Sequence, residues 1–372
     1  MKILAIDTSC DETAVAVTEG TKILSNIVWS QASLHAKWGG VVPSIAKREH
    51  EERINWVIEK ALKKAFPKSH FIGHQLLVTN IDAVAVTVGP GLAIALEVGI
   101  KKAKELSIKF NKPFIPVNHV EGHLLSPLAR PGISKQINNS GLNIKNLDFP
   151  VLGVVTSGGH TEVVWIKTLG DYKIIAQTSD DALGESLDKA ARLLDFGYPG
   201  GEILEINARQ GNPYAFDLPI PMLGREKEMY FSYSGLKAAF VRLVKEVSSK
   251  KDLTPKDISN LAASYQHVAF THFIRVLDYL LKSNKYSTKN ILAGGGVMAN
   301  GTLRKMLRQV AKKNNLKVLV PYSKRLNTDN AAMIGVAAYF RFKRKEILKP
   351  KELAKVDRIP RAKVDEPFAW ER

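Results

Sequence analysis

Apolar residues open the chain in two short runs, Lys2–Asp7 and Thr13–Thr18, and both read as strands. The polar turn Thr8-Ser9-Cys10-Asp11-Glu12 joins them into a hairpin. From Ser44 to Ala65 the period lengthens, and Ile45, Ile54, Val57, Ile58 and Leu62 line one side of a predicted helix. Asp82–Val88 is a continuous apolar run, the mark of a strand buried on both faces. It stops at Gly89-Pro90-Gly91, and a helix follows to about Ile108. Phe114–Val117 predicts a short strand that leads into a helix beginning at His119. Residues 130–148 are polar, with Pro, Gly and Asn, and read as a connection rather than an element.

The opening pattern then recurs. Val151–Thr156, the turn Ser157-Gly158-Gly159-His160 and Thr161–Ile166 again give strand, tight turn, strand, which suggests an internal duplication. Tight glycine turns bring backbone N–H groups close to phosphate. A third cluster, Gly294-Gly295-Gly296, follows the apolar run Ile291-Leu292-Ala293 and precedes a helix starting near Asn300, where a ligand can sit against a helix N-terminus. Each cluster alone fits an ordinary turn. Three in this order, with Asp7 and Asp11 beside the first hairpin, favour a nucleotide site. The division expected is lobe I over 1–129, a connecting loop over 130–149 and lobe II over 150–330. About 331–345 would pack back on lobe I, ahead of a basic extension over 346–372.

Composition narrows the class. A chain of 372 residues, 45% apolar, is long enough for two lobes. Its one cysteine, Cys10, excludes an internal disulfide framework and fits a reducing compartment. The N-terminal apolar run is broken at Asp7, unlike a signal peptide. No run approaches the roughly 18 apolar residues of a membrane span, so a cytoplasmic protein without a membrane partner is expected. The net charge of +18 favours a polyanionic partner, nucleic acid first, although a solvated basic surface gives the same count. The basic residues gather in Lys101–Lys104, Arg304–Lys317 and the segment after Arg341, with no interleaved aromatic motif for base reading. That last segment has eleven basic and six acidic residues, and reads as an extension that touches nucleic acid or is merely solvated.

The candidate chemistry centres on His119-Val120-Glu121-Gly122-His123. Residues four apart on a helix lie one above the other, so both imidazoles can reach one metal ion, or can simply share a polar face. The order differs from the His-Glu-x-x-His of zinc proteases, whose Glu serves as base to metal-bound water. Here Glu121 projects about 200° around the helix from His119, which speaks against a protease. His35, Trp38 and Tyr233 either line a substrate channel or pack. His160 either touches phosphate or caps its hairpin. His50, His70, His74, His267 and His272 have no partner pattern, and the last two sit on an apolar helix as structural residues. Lys189 can pair with Asp188 or with phosphate.

Longer segments carry a resemblance. They are Asp7-Thr8-Ser9-Cys10-Asp11-Glu12-Thr13, Gly39-Gly40-Val41-Val42-Pro43, Val88-Gly89-Pro90-Gly91-Leu92, the His119–His123 run and Thr156-Ser157-Gly158-Gly159-His160-Thr161. Gly184-Glu185, Asp188-Lys189, Tyr198-Pro199-Gly200-Gly201 and Phe231-Ser232-Tyr233-Ser234-Gly235-Leu236-Lys237 follow. Gly294-Gly295-Gly296-Val297-Met298-Ala299-Asn300 and Thr328-Asp329-Asn330-Ala331 complete the set. Over about residues 1–340 the chain resembles the transferases that synthesise threonylcarbamoyladenosine in tRNA, bacterial and organellar branch. The resemblance implies an α/β, actin-like, duplicated two-lobed nucleotide-binding fold. It implies transfer of a threonylcarbamoyl group from threonylcarbamoyl-adenylate to N6 of the adenosine just 3′ of the anticodon, in tRNAs reading codons that begin with A, with release of AMP.

The residues that the resemblance assigns are His119, His123 and Asp329 for one divalent metal, Fe2+ or Zn2+, a donor set that suits both. For the adenylate it assigns Val155, Thr156, Ser157, Gly158, Gly159, Asp188, Gly201, Glu205 and Asn300. Asp188 suits ribose hydroxyls and Asn300 the polar edges of the nucleotide. Asp11 is the candidate to assist deprotonation of the attacking amine, or it only caps its turn. The implied partners are tRNA, an inactive paralogue in a heterodimer, a small P-loop ATPase and a separate adenylate-forming synthase. Trp38, Ser44 and Asn327 depart from the residues usual in the family, which are Tyr, Glu and Cys. Two other readings stay open here: an actin-fold small-molecule kinase or ATPase, and a non-catalytic nucleotide-dependent tRNA-binding protein.

Overall fold

The computed structural model of the chain describes residues 1–67, 80–132, 147–283 and 285–371. Its strands are β1 (Lys2–Asp7), β2 (Glu12–Glu19), β3 (Lys22–Ser30), β4 (Ala83–Gly89), β5 (Phe114–Asn118), β6 (Arg130–Pro131), β7 (Val151–Thr156), β8 (Thr161–Thr168), β9 (Asp171–Thr178), β10 (Tyr230–Phe231), β11 (Asn290–Gly294) and β12 (Lys317–Leu319). The helices are α1 (Ala32–His35), α2 (Pro43–Ala65), α3 (Ala93–Lys109), α4 (His119–Leu125), α5 (Leu183–Leu193), α6 (Gly201–Ala208), α7 (Ser234–Lys250), α8 (Pro255–Lys282), α9 (Gly301–Lys313) and α10 (Ala331–Lys343). His70 and His74, and most of the 130–149 connection, lie outside the described residues. The described start of that connection is a short strand, β6, paired with β3.

The duplication expected from the two glycine- and acid-bearing hairpins is visible in the sheets. One sheet runs β5-β4-β1-β2-β3-β6 and the other β10-β9-β8-β7-β11-β12. In each, an antiparallel hairpin (β1/β2, β7/β8) gains a third antiparallel strand (β3, β9) on one side. On the other side two parallel strands follow, β4 and β5 or β11 and β12. Strand for strand the two sheets match, which is the two-lobed actin-like arrangement. The parallel strands β4, β5 and β11 are buried at every position, as sheets covered on both faces require.

Three apolar clusters hold the molecule. One fills lobe II under α5, α8 and α9; one lies on the outer face of the lobe I sheet under α2 and α3. The third joins the lobes: α4 and α10 are wedged between β1, β5, β7 and β11, with Leu124, Val151, Val164, Ile334 and Val336 all fully buried. Ala331–Ala338 is buried throughout, because this helix is apolar on every side.

The basic C-terminal segment is not a solvated extension. Leu348, Leu353, Val356 and Phe368 enter the lobe I core, and the Ile359 amide donates to the Val88 carbonyl oxygen at 2.7 Å. Its apolar residues recur too irregularly for a periodic signal, yet burying each one fully yields about 1.5–3 kcal/mol, enough to hold a charged segment down. The segment docks on the Gly89-Pro90-Gly91 turn: a Cβ on Gly89 would lie 1.9 Å from the Ile359 carbonyl oxygen, and one on Gly91 2.5 Å from that of Ser9.

Candidate functional site

The C-terminal ends of β1, β5, β7 and β11 meet in the cleft between the lobes, the kind of place where ligands sit in open α/β sheets. At the end of β5, Asn118 caps α4: its side-chain oxygen accepts from the amides of Val120 (2.8 Å) and Glu121 (3.3 Å). That cap fixes the first turn, and the four-residue spacing then brings His119 and His123 together, ring centroids 4.7 Å apart. Two glycines let the helix sit this deep. A Cβ on Gly122 would crowd Ile334 and Met333 of α10, and one on Gly294 would lie 2.2 Å from the His123 carbonyl oxygen.

Asp329 arrives from the loop before α10. Its Oδ1 lies 3.0 Å from His123 Nε2 and 3.5 Å from His119 Nε2. One donor atom from each of the three residues falls within 4.8 Å of the others. Behind His119 stands Asp7, whose Oδ2 is 3.4 Å from Nδ1 without hydrogen-bond geometry. Burial works to lower the His119 pKa, but Asp329 and Asp7 outweigh it and hold the imidazole well above its ordinary value. His123 is lowered, first by burial and then by the His119 charge, against the Asp329 hydrogen bond. Burial tends to raise Asp329, yet the two imidazoles keep it well below the usual carboxylate range. Two buried nitrogens and a carboxylate, one of whose oxygens faces both rings, suit Zn2+ or Fe2+. The pair is therefore not a polar surface pair: His119 and His123 are 4% and 0% exposed.

Glu121 turns away, as its place on the helix requires. It accepts from Tyr172 Oη at 2.9 Å and pairs with Arg341 (3.2 Å) and Arg344 (3.1 Å). A carboxylate tied to two guanidiniums is a structural ion cluster, which removes the geometric basis for a protease.

Across the cleft, Ser157-Gly158-Gly159-His160 closes the β7/β8 hairpin, with the Ser157 amide on the His160 carbonyl oxygen (2.8 Å) and the His160 amide on Ser157 Oγ (3.1 Å). A Cβ on Gly158 or Gly159 would meet nothing within 4 Å, so packing does not demand glycine at either place. The His160 ring lies 6.3 Å from that of His119 and is held neutral, its pKa lowered to about 3 by burial and the two site histidines. Val155 and Thr156 are buried at the end of β7, where the Thr156 carbonyl oxygen would clash with a side chain on Gly295.

The other adenylate candidates form one wall. Asp188 of α5 accepts from the amides of Gly200 (3.0 Å) and Gly201 (2.8 Å) through Oδ1, which leaves Oδ2. Burial raises its pKa, against those two hydrogen bonds. Glu205 of α6 accepts from the Gly301 amide at 2.9 Å and from Arg209 at 2.6 Å. Asn300 caps α9 through Oδ1 and donates to Gln266 at 2.8 Å, so one amide hydrogen remains for a ligand. Asp11 sits buried in its turn beside Cys10 and Glu12, whose pKa values are pushed well up by burial first and then by the charges of Asp11 and Asp329. It lies close enough to Asp188 to raise that group's pKa across the cleft.

Readings that the sequence left open are decided by the structure. His35 and Tyr233 line no channel; both are fully buried, and His35 Nε2 bonds Gln31 Oε1 at 3.1 Å, while Trp38 is 60% exposed. Lys189 pairs with Asp181 (2.6 Å) and Glu185 (2.8 Å), not with Asp188. His272 is structural, as expected, accepting from the Ser232 amide at 3.1 Å. The Ser232-Tyr233-Ser234 run clamps Asp180, which accepts from both hydroxyls and the Tyr233 amide. Asp7 as the partner of His119, and Gln266 as the partner of Asn300, carry no spacing signal that would have found them.

A sequence model described as tRNA N6-adenosine threonylcarbamoyltransferase matches residues 22–336. Relatives of that same description include those of Nostoc punctiforme, 44% identical over 341 residues and 90% of each chain, and Gloeothece citriformis, 43% identical over 346 residues and 92% of each. One from Clostridium kluyveri is 42% identical over 346 residues, 92% of this chain and 93% of its own. Among solved structures, full-length HypF in a phosphate- and nucleotide-bound form superposes with a TM-score of 0.56 at 14% identity, over 92% of this chain and 46% of its own. HypF of T. kodakarensis gives 0.54 at 15%, over 92% and 48%. The chain spans about half the length of those two structures, and the likeness is one of fold.

Proposed function

The chain belongs to the tRNA N6-adenosine threonylcarbamoyltransferase family, and from that premise we propose how its residues divide the work of transfer to tRNA. The donor is threonylcarbamoyl-adenylate. The observation that carries this reading is the convergence of His119, His123 and Asp329 opposite an open glycine turn at the mouth of lobe II. The three residues hold one divalent ion, Fe2+ or Zn2+. Such an ion, when bound, supplies electrostatic stabilisation of the charge that develops on the carbamoyl oxygen. Asp7 orients His119 from behind, as a carboxylate behind a ligating imidazole does.

The Ser157–Gly159 turn lies against the phosphate, since among the described residues no hydrogen bond engages the amides of Gly158 and Gly159. Asp188 Oδ2 takes a ribose hydroxyl, and Asn300 with Glu205 and Gly201 closes the wall around the nucleoside. As N6 of adenosine bonds to the carbamoyl carbon, the bond from that carbon to the phosphate oxygen breaks and AMP leaves. Asp11 accepts the amine proton, from the lobe I side of the cleft. The reaction is placed in the cytoplasm, with an inactive paralogue and a small P-loop ATPase as helpers.

The test is transfer of labelled threonine into unmodified tRNA with an adenylate-forming synthase, ATP and bicarbonate, with and without those helpers. Label in the anticodon-loop adenosine is expected with wild type and is lost in His123→Ala. No label even with helpers, while ATP is consumed, would return the protein to a kinase or ATPase role.

A further inference from the structure

Between Asp278 and Asp329 lie fifty residues without one acidic side chain, against eleven lysines and arginines. Most of that charge falls on α9, the edge strand β12 and the short turn Lys324–Leu326. Leu303, Leu307, Val310 and Ala311 turn one face of α9 into the core. Lys305, Arg308 and Lys312, at i, i+3 and i+7, make an exposed stripe on the other. Lys313, Lys317, Lys324 and Arg325 are exposed beside it.

Among the described residues none of these seven has a carboxylate within ion-pair distance. Neighbouring helices show what a merely solvated face looks like. On α7 Lys250 pairs with Glu246, and on α8 Arg275 and Lys282 pair with Glu226 and Asp278. Unrelieved like charge destabilises a fold, so a face that keeps it has a use for the field. The most basic part of the stretch lies between two residues of the site. Asn300 caps α9 in the nucleotide wall, and Arg325 stands four residues before Asp329.

We propose that this face is the track for the phosphate backbone of the tRNA whose adenosine enters the cleft; the inference rests on the transferase reading above. Lysines and arginines of α9, with no aromatic between them, neutralise phosphates and do not read bases; Tyr322 is the one exposed aromatic between Lys305 and Arg325. The face therefore positions any tRNA, and the choice of adenosine falls to the cleft.

The experiment measures binding of an unmodified tRNA transcript to the full chain across a salt series. Wild type is compared with K305Q/R308Q/K312Q and with K64Q/K101Q/K109Q, which removes the same charge from exposed lobe I positions. The α9 variant is expected to bind about tenfold or more weakly, with a log–log salt slope shallower by about 2 to 3, as loss of three phosphate contacts predicts. In the transfer assay its KM for tRNA rises while kcat holds, and the lobe I variant stays within about twofold of wild type in affinity, since those lysines lie off the track. Equal weakening of both variants, or of neither, overturns the proposal. Wild type that binds tRNA along this face yet transfers no label would sink the transferase reading instead.

Discussion

Asp7 has a buried carboxylate oxygen with no hydrogen-bond partner, 3.4 Å from the ring nitrogen of His119 that faces away from Asp329. If it orients that ring for a metal, Asp7→Ala should lower divalent-metal affinity by about 10–100-fold, measured by equilibrium dialysis with Zn2+. Unchanged affinity would reduce Asp7 to a residue of its turn. Glu121, two positions along the same helix from either histidine, should behave in the opposite way. Removing its charge leaves Arg341 and Arg344 short of a buried partner, and Glu121→Gln should cost about 3–5 kcal/mol in a urea titration. Metal affinity and kcat should hold. Loss of transfer at full stability would instead give Glu121 a part in the reaction.

Glycines that look alike in sequence do different jobs at the level of elements. Gly294 lets the end of β11 approach the carbonyl of His123, so Gly294→Ala should push α4 off its seat, with about 1–3 kcal/mol of destabilisation and loss of bound metal. Gly158→Ala has open space around it and should leave the melting temperature unchanged while raising KM for the adenylate. A melting temperature lowered as much by Gly158→Ala would remove the argument that a ligand keeps that position small. This is also where the sequence stops being legible. Strands β1, β4, β7 and β11 announce themselves because both faces are buried, and α4 because its histidines sit four apart. β3 and β9 are half-exposed outer strands of mixed pattern. Gly89 and Gly91 read only as the end of a strand, yet one makes room for the C-terminal segment and the other for the Ser9 backbone. Close approach to a backbone and close approach to a phosphate select the same residue.

At the scale of the whole molecule, the C-terminal segment ties the lobes together. It enters the lobe I core, adds Val364 to the cluster between the lobes, and reaches lobe II where Asp365 accepts from the Ile174 amide at 3.0 Å. There it meets Glu162 of β8, whose pKa is raised to about 7 by burial and then by the Asp365 charge. The folded protein thus holds the Glu162 proton more tightly than the unfolded chain does. The associated stability is present in full below the unfolded value and is lost as pH rises through about 7. Unfolding free energy should fall between about pH 5 and pH 8, by at most ~3 kcal/mol. Loss of the positive charge that protonated histidines add to the net +18 would drive stability the other way over the same range, so the two causes are distinguishable by sign. Urea midpoints at the two pH values check this, and Glu162→Gln should flatten the decline. A decline that survives in Glu162→Gln would place the titrating group elsewhere, and a rise in wild type would show that long-range charge outweighs this junction.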